Sequence, residues 1–390
     1  MPIALLALAI GAFGLGTTET IVMGILPELS HDLHVSIAKA GLLVSGYAIG
    51  VTIASPLMAI MTNRYSRRQT LLFMMAIFVL GNICSALAPD YQLLMASRVL
   101  TSLSHGTFYG AASIVACQIV PPQKRAEALS IVYIGLTLAM VLGVPLGTLV
   151  AQFTSWRVSF WLISAVGSLA WISIWCLIPQ DVQTANAPRL YDQFRSLTHP
   201  MVIIMMLVSM CTAAGMFGIF TYITPFLEIR TALSAHATDL VLLLIGAGLC
   251  LGNLLGGRLA DWKMLPSCGG LLGIAIIIQL LLVPASLHVW SAALLFFLWG
   301  IFIYAPMAPL QSYVVTCAEA APNIAAAVNQ SAFNLGNAIG SWAGSLIIGA
   351  SAAYSYLPLL SSYFVAIGVI LVCLAGYLQS RENKKKLNNP

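Results

Sequence analysis

Long apolar runs recur from one end of the chain to the other, and their length is typical of membrane spans. A helix rises 1.5 Å per residue, so about 20 apolar residues cross a hydrocarbon core of roughly 30 Å. The runs are continuous rather than alternating, and the strands of a membrane barrel would be about half as long. We therefore predict an all-α membrane protein with twelve transmembrane helices, at 3–26, 37–61, 69–87, 91–120, 126–151, 159–177, 201–223, 240–259, 269–285, 290–315, 324–350 and 354–378.

The composition agrees with a chain embedded in lipid. Of its 390 residues, 60% are hydrophobic and only 7% are charged, whereas a soluble globular domain carries roughly 25% charged residues. The eight cysteines are scattered without CxxC spacing, so they indicate neither a disulfide framework nor a metal site. No phosphate-binding glycine loop and no catalytic constellation is visible, which argues against an enzyme and against an ATP-driven pump.

A polar stretch divides the predicted helices into two groups of six. We interpret residues 179–199 as a solvated cytoplasmic linker between six-helix bundles at 1–178 and 200–380, with a basic tail at 381–390. A single twelve-helix bundle with one long loop is the alternative interpretation.

The positions of Lys and Arg predict the orientation, because short loops on the cytoplasmic side are enriched in these residues. With the amino terminus inside, thirteen of the 17 basic residues lie on the cytoplasmic side, and Arg98 lies within a helix. The three on the opposite side are Lys39, Arg157 and Arg230. We therefore expect both termini in the cytoplasm, and the net charge of +5 reflects topology rather than nucleic-acid binding.

Two patterns indicate internal repetition and close helix packing. The loops 59–68 and 257–263 lie six helices apart, and each combines a polar or acidic residue with basic ones. Small residues spaced by four allow close approach of helices, and every third helix carries such a triplet. These triplets mark either an interface between the halves or ordinary packing. They are Gly46, Gly50 and Ala54 in the second helix, Gly143, Gly147 and Ala151 in the fifth, Gly248, Gly252 and Gly256 in the eighth, and Gly336, Gly340 and Gly344 in the eleventh.

Several short motifs combine glycine with charged or aromatic residues. Arg64, Arg67 and Arg68 follow the second helix, at the place where Gly257-Arg258-Leu259-Ala260-Asp261 follows the eighth. The other motifs are Arg98 with Ser104-His105-Gly106-Thr107-Phe108-Tyr109-Gly110 in the fourth helix, Leu142-Gly143-Val144-Pro145-Leu146-Gly147-Thr148 in the fifth, Trp156-Arg157-Val158-Ser159-Phe160 at the sixth, and Phe333-Asn334-Leu335-Gly336-Asn337 in the eleventh.

Together these motifs resemble the major facilitator superfamily, and most closely its twelve-span drug:proton antiporters of the arabinose-efflux-permease type. The loop motif is similar to the superfamily signature G-x-L-a-D-R-x-G-R-R, although Asn63 stands in place of the usual Asp and Trp262 in place of the usual Arg. The resemblance implies gating or helix-packing roles for Arg64, Arg67, Arg68, Gly143, Pro145, Gly147, Gly257, Asp261, Asn334, Gly336 and Gly340.

The resemblance also implies a function. We expect two pseudo-symmetric six-helix bundles that export a small organic solute or drug across the inner cell membrane, as a monomer, with the proton gradient as energy source and no cofactor. The first alternative is a proton symporter or facilitator that imports a nucleoside, sugar or other metabolite, because the fold does not set the direction. The second alternative is a membrane receptor or scaffold that transports nothing.

Three ionisable side chains lie clearly within the predicted spans, and each is a candidate for proton coupling. A charge in the bilayer usually faces a partner or a water-filled pathway. Glu19 and Arg98 both fall in the outer half of the membrane, which makes them candidate partners. We expect Glu19 to carry the proton, Arg98 to modulate it, and His105 to act as a second titratable or hydrogen-bonding group. A static Glu19–Arg98 pair that holds two helices together is the alternative.

Residues of four helices are candidates for a substrate cavity, because in the superfamily the first, fourth, seventh and tenth helices line it. Arg98, Ser102, His105 and Tyr109 share one helix face. Aromatic, thioether and sparse polar groups suit moderately lipophilic molecules. The candidate cavity residues are Met23, Ser102, Tyr109, Phe217, Phe220, Tyr304, Met307 and Gln311.

Overall fold

The chain folds into a bundle of helices. The structure, a computed structural model, describes residues 3–62, 64–121, 124–180, 198–317, 322–350 and 353–388, and this part contains no strand. In the N-terminal half, residues 3–180, the helices are α1 (Ala4–Gly24), α2 (Leu26–Asp32), α3 (Ile37–Thr62), α4 (Arg67–Ala86), α5 (Tyr91–Ser102), α6 (His105–Gln118), α7 (Arg125–Leu138), α8 (Val144–Phe153) and α9 (Trp156–Leu177). In the C-terminal half, residues 198–388, they are α10 (Pro200–Phe220), α11 (Ala235–Ala285), α12 (Val289–Tyr304), α13 (Met307–Cys317), α14 (Pro322–Gly349) and α15 (Tyr356–Asn388).

Ten segments among the described residues are long and apolar enough to cross a membrane. The predicted fourth and eleventh spans are not among them, although both are helical. The fourth is broken at Leu103 and Ser104 into α5 and α6, of 12 and 14 residues. The eleventh is α14, a helix of 28 residues whose buried Asn334 and Asn337 lower its hydropathy.

The predicted helices differ from the structure where backbone hydrogen bonding changes. The predicted fifth span is α7 and α8, joined by a π-helical turn at Ala139–Gly143. The turn ends two residues before Pro145, whose nitrogen cannot donate a helical hydrogen bond. The predicted eighth and ninth spans both lie in α11. Ser267 Oγ donates to the Leu259 carbonyl at 3.2 Å, whereas eight residues of straight helix extend about 12 Å, so α11 bends sharply between the two spans.

The glycine triplets pack helices within each half, not the halves against each other. Gly143 and Gly147 contact Thr17 and Ile21 of α1, and Gly50 contacts Ser102 of α5. Likewise, Gly248 and Gly252 of α11 lie on the backbone of α12 and Gly256 on that of Ala305, which follows it. Gly336 and Gly340 of α14 lie on the backbone of α10, and Gly344 lies against the Tyr222 ring of the same half. Of the two interpretations that the sequence allowed, ordinary packing is therefore correct for these glycines. The halves meet instead where α3 packs on α14, and where α8 and the preceding π turn pack on α11.

The Trp-Arg motif at the start of α9 fastens three parts of the N-terminal half together. Arg157 donates to Asp32 at 2.5 Å and to the Ala88 carbonyl at 3.1 Å, and Trp156 Nε1 donates to Asp32 at 2.9 Å. The hydrogen bonds from Arg157 and then Trp156 hold the pKa of Asp32 below its usual range. This clamp is complete at neutral pH and weakens as the pH falls through that lowered pKa.

We expect Gly340→Ala to destabilise the protein, because the added methyl would overlap the Ala214 carbonyl oxygen of α10. Overpacking of this kind costs about 1–3 kcal/mol. Gly376→Ala is the matched control, because a methyl group at this position in α15 meets no atom within 4 Å and alanine favours helix by about 1 kcal/mol. Thermal unfolding in detergent should show a lower Tm for Gly340→Ala alone. Equal Tm values for the two variants would contradict the packing described here.

Candidate functional site

Glu19, Arg98 and His105 come together inside the N-terminal half, where the sequence predicted only that Glu19 and Arg98 could be partners. Their side chains belong to α1, α5 and the first residue of α6, and the three residues are 5%, 0% and 1% exposed. Burial of two charged groups and an imidazole at one place is unfavourable unless they bind one another or exchange protons. The arrangement of their polar atoms therefore decides what the site can do.

Glu19 faces His105 rather than Arg98. The His105 Nε2 atom lies 3.8 Å from Glu19 Oε2. Among the described residues, no nitrogen of Arg98 comes within 4.0 Å of the Glu19 carboxylate, so the expected direct pair of Glu19 and Arg98 is not formed. The second carboxylate oxygen, Oε1, is buried without a hydrogen-bond partner in this part of the chain.

Arg98 is held by the helix that carries Glu19 and by an aromatic ring. It donates to the Thr18 carbonyl at 2.5 Å and to Thr18 Oγ1 at 3.2 Å, and Thr18 Oγ1 in turn donates to Asn82 at 2.7 Å. The guanidinium lies over the Tyr47 ring, 4.2 Å from its centroid, where the ring face attracts a cation. Arg98 is thus a fixed positive charge beside Glu19.

Tyr47 of α3 completes the site, and sequence reasoning missed it. Its hydroxyl lies 3.0 Å from His105 Nδ1, and its ring contacts Arg98. When Nδ1–H donates to the Tyr47 hydroxyl oxygen, Nε2 carries no proton in the neutral imidazole and faces Glu19 as the acceptor of the proton that the two groups share. A usable signal was present: Tyr47 lies between Gly46 and Gly50, whose close contacts bring α3 against α5.

The break between α5 and α6 places His105 in this ring of contacts. Ser102 Oγ donates to the Val99 carbonyl and Ser104 Oγ to the Thr101 carbonyl, both three residues back. Such side-chain bonds compete with the regular helix ladder. The backbone N–H groups of Leu103 and Ser104 also donate to carbonyls three residues back, rather than four. The chain therefore forms a tighter turn just before α6 begins at His105.

The predicted cavity residues divide into two groups. Tyr109 lies at the Glu19 site, with its ring 5.2 Å from that of His105 and stacked on Tyr133. Tyr304 of the C-terminal half lies within electrostatic range of Glu19. The others lie in helix contacts. These are Met23, whose carbonyl accepts from Thr224; Ser102, which packs against Gly50; Phe217 and Phe220, which pack together in the C-terminal half; Met307, partly buried on α13; and Gln311, which bonds Ala326 and Asn329.

The predicted gating residues lie mainly at helix ends and contacts. Arg68 donates to the Trp175 carbonyl at 2.5 Å, Arg64 lies over the Tyr65 ring, and Arg67 begins α4. Gly143, Pro145, Gly147, Gly336 and Gly340 lie in the helix contacts and turns described above, Asn334 bonds the Gln330 carbonyl, and Gly257 faces open space. Asn63 and the side chain of Asp261 lie outside the described residues.

Comparison with known proteins identifies the family. The sequence model of the protein family described as the Major Facilitator Superfamily matches residues 8–341. The inner membrane transport protein YdhP of Escherichia coli (strain K12) is 40% identical over 375 residues, 96% of each chain. The putative transporter AraJ of the same strain is 33% identical over 94% of each chain. A probable sugar efflux transporter of Helicobacter pylori (strain P12) is 29% identical over 87% of each chain.

A solved structure shows the same fold. The bacterial homologue of the human lysosomal transporter Spinster, in an inward-facing and occupied conformation, matches with a TM-score of 0.74 over 96% of both chains at 17% identity. The predicted fold of two six-helix bundles is thereby confirmed, and the relatives agree with a transporter of the inner membrane rather than an enzyme. The chain belongs to the major facilitator superfamily of membrane transporters.

Proposed function

We propose that this protein exports a small organic solute from the cytoplasm in exchange for protons, and that Glu19 and His105 exchange the coupled proton. The observation that carries the proposal is the buried contact of 3.8 Å between the Glu19 carboxylate and His105 Nε2. An acid and an imidazole at this separation can share one proton, and both are group types that form proton relays in transporters.

The incomplete bonding of Glu19 supports exchange over a static role. One of its oxygens has no partner among the described residues, and an ionised carboxylate in such surroundings is costly. Protonation removes that cost, whereas entry of water or solute restores the charged form. Glu19 therefore changes its charge most readily when access to the site changes, as alternating access requires.

Arg98 acts in this proposal as a fixed electrostatic bias. Its bonds to Thr18 and its contact with Tyr47 leave it beside Glu19 but not bound to it. A direct pair between the two would be costly to break and would oppose repeated protonation. The observed arrangement keeps the positive charge close while the proton passes between Glu19 and His105.

The solute would meet aromatic rings and hydroxyl groups next to the proton site. Tyr133 is 45% exposed and stacks on Tyr109, with ring centroids 6.2 Å apart, and Tyr304 approaches from the other half. Such groups bind organic solutes through stacking and a few hydrogen bonds. One relative is named as a probable sugar efflux transporter, so sugars are the first solutes to test, followed by moderately lipophilic drugs. We further propose a monomer with both termini in the cytoplasm and a linker at 179–199, of which residues 181–197 lie outside the described part of the chain.

We expect Glu19→Gln to abolish proton release without abolishing solute exchange. Acid-loaded inside-out vesicles would receive a panel of sugars, nucleosides and antibiotics, and the external pH would report protons leaving the lumen. In the variant, solute-driven release should fall at least about tenfold, because glutamine cannot exchange a proton at this position. Exchange of labelled solute across the membrane at equilibrium should persist, since it needs no net proton movement.

Glu127→Gln is the control, because Glu127 is an exposed acid in the first turn of α7; it should behave as wild type. Proton release from the Glu19→Gln variant at the wild-type level would remove Glu19 from the mechanism. Solute transport by the wild-type protein without any proton movement would favour a facilitator instead.

We also expect Tyr47→Phe to slow transport and to shift its pH profile. The change removes the hydroxyl beside His105 Nδ1 but keeps the ring under Arg98. A buried hydrogen bond contributes about 1 kcal/mol, or roughly a fivefold change in an equilibrium. Transport rates measured across a pH series test this, with Tyr65→Phe at an exposed tyrosine as control. An unchanged profile for Tyr47→Phe would mean that Tyr47 does not position His105.

A further inference from the structure

The two halves meet closely at one end of the bundle, which we call the closed end and define by Met23, Ala38, Gly41, Tyr222 and Gly349. Thr224 Oγ1 donates across the halves to the Met23 carbonyl at 3.1 Å. Tyr222 lies against Gly41, and a Cβ at Gly349 would lie 3.6 Å from the Cβ of Ala38. The distribution of Lys and Arg predicts that this end faces away from the cytoplasm.

Three carboxyl groups from both halves lie within electrostatic range of one another at the closed end. Glu28 of α2 interacts electrostatically with Glu228 and with Asp239 of α11, and the last two interact with each other. Among the described residues, no nitrogen of Lys, Arg or His lies within 4.0 Å of any of these three carboxylates. Like charges held together in buried surroundings disfavour the ionised form of each other.

Asp239 carries a second, independent feature. The residue is only 9% exposed, and neither of its oxygens has a hydrogen bond of good geometry within the described part of the chain. The Gln152 amide of α8 lies beside it from the other half, and both polar atoms of that amide are buried without a partner as well. Two side chains thus face each other across the halves with four unsatisfied atoms.

One proton would satisfy all four atoms. A protonated carboxyl donates to the Gln152 carbonyl oxygen through its O–H and accepts from the amide N–H₂ through its other oxygen. An ionised carboxylate has no proton to donate, so the Gln152 carbonyl oxygen would stay unpaired at a cost of about 1–3 kcal/mol. The amide N–H₂ can donate to either form of the carboxyl group, so it is the burial of these polar atoms that favours the neutral acid.

We propose that the closed end contains a second proton-binding site, in which Asp239, paired with Gln152, and Glu28 are protonated while the halves are closed and lose protons as they separate. The ligand is the proton itself, and the site is distinct from the Glu19 site. Because the proposal concerns only the opening of this end, it stands or falls independently of the coupling role of Glu19.

Glu28, which lies beyond the end of α1, determines whether acid or alkaline medium favours closure of the two halves. Burial of its carboxyl raises the pKa of Glu28 to about 7, and the neighbouring carboxyls of Glu228 and Asp239 act in the same direction. A carboxyl with a raised pKa in the closed form binds protons more tightly there than in the open form. Acidic medium therefore stabilises closure, and a pH above about 7 favours opening.

The other charged groups nearby do not reverse this dependence of closure on pH. The His236 imidazole stands beside Asp239, and its ring lies 5.9 Å from that of Phe153. Arg230 is turned towards Ser286 and the Val283 carbonyl. On the side of α2, Arg157 is paired with Asp32.

Cross-linking between the halves tests the proposal without any substrate. Ala38→Cys with Gly349→Cys places two Cβ atoms about 3.6 Å apart, a separation that suits a disulfide. The reference pair is Gly368→Cys with the native Cys211, also about 3.6 Å apart but within one half, in a background without the other cysteines. The ratio of the two oxidation rates cancels the pH dependence of thiol chemistry.

We expect the ratio to fall about tenfold between about pH 6 and pH 8 in the otherwise unchanged protein, as one linked proton allows. Glu28→Gln combined with Asp239→Asn should keep the ratio high at every pH, because both amides mimic the neutral acids. Asp90→Asn, an exposed acid of the same end that caps α5, should leave the pH dependence intact. A ratio that does not change with pH, or a double variant that follows the parent, would overturn the proposal; normal cross-linking of the reference pair shows that each variant is folded.

Discussion

The cost of burying charge in an apolar medium is the constraint on which the site depends. Arg98 is completely buried, and Glu19 and His105 nearly so. Each of the three side chains has different partners. Arg98 donates to Thr18 and lies over the Tyr47 ring, His105 Nδ1 hydrogen-bonds with the Tyr47 hydroxyl, and Glu19 lies near His105 Nε2. Arg98 is held at Thr18 and Tyr47, although its Nε and Nη2 atoms, like Glu19 Oε1, have no hydrogen-bond partner among the described residues. A guanidinium keeps its proton in proteins whereas a carboxyl group exchanges one, and this difference separates a fixed charge from one that can exchange a proton.

The packing of the N-terminal half serves this arrangement. Gly50 receives Ser102, and Gly106 receives Ser55, so α3 lies tightly against α5 and α6. Gly143 and Gly147 admit Thr17 and Ile21, which hold α1 on either side of Glu19. A bulkier residue at any of these glycines would push apart the helices that carry Tyr47, His105 and Glu19. The helix contacts therefore set the distances between the polar groups.

The sequence predicted the spans and placed Glu19 and Arg98 in the same half of the membrane, because long apolar runs and isolated charges within them are strong signals. It did not predict which atoms would meet. The expected Glu19–Arg98 pair does not form because Arg98 binds the Thr18 carbonyl and the face of the Tyr47 ring instead. Neither of these groups is charged, so the sequence gives no sign that they would bind an arginine. Tyr47 was missed for the same reason.

The closed end shows a second limit. Asp239 and Gln152 lie in different halves, 87 positions apart in the numbering, and their pairing depends on how α8 packs on α11. Nothing local in either segment indicates it. The break before His105 was equally hidden, since Ser102 and Ser104 are acceptable within a helix and end it only through their bonds to Val99 and Thr101.

Infrared difference spectroscopy of the purified protein tests the central claim most directly, because a protonated carboxyl has a C=O band that an ionised one lacks. The pH would be raised stepwise, and spectra of the wild-type protein would be compared with those of the Glu19→Gln variant. We predict a band that is lost on alkalinisation in the wild type and absent from the variant, and that shifts in the Tyr47→Phe protein. Identical titrating bands in the wild type and in Glu19→Gln would show that Glu19 holds no exchangeable proton.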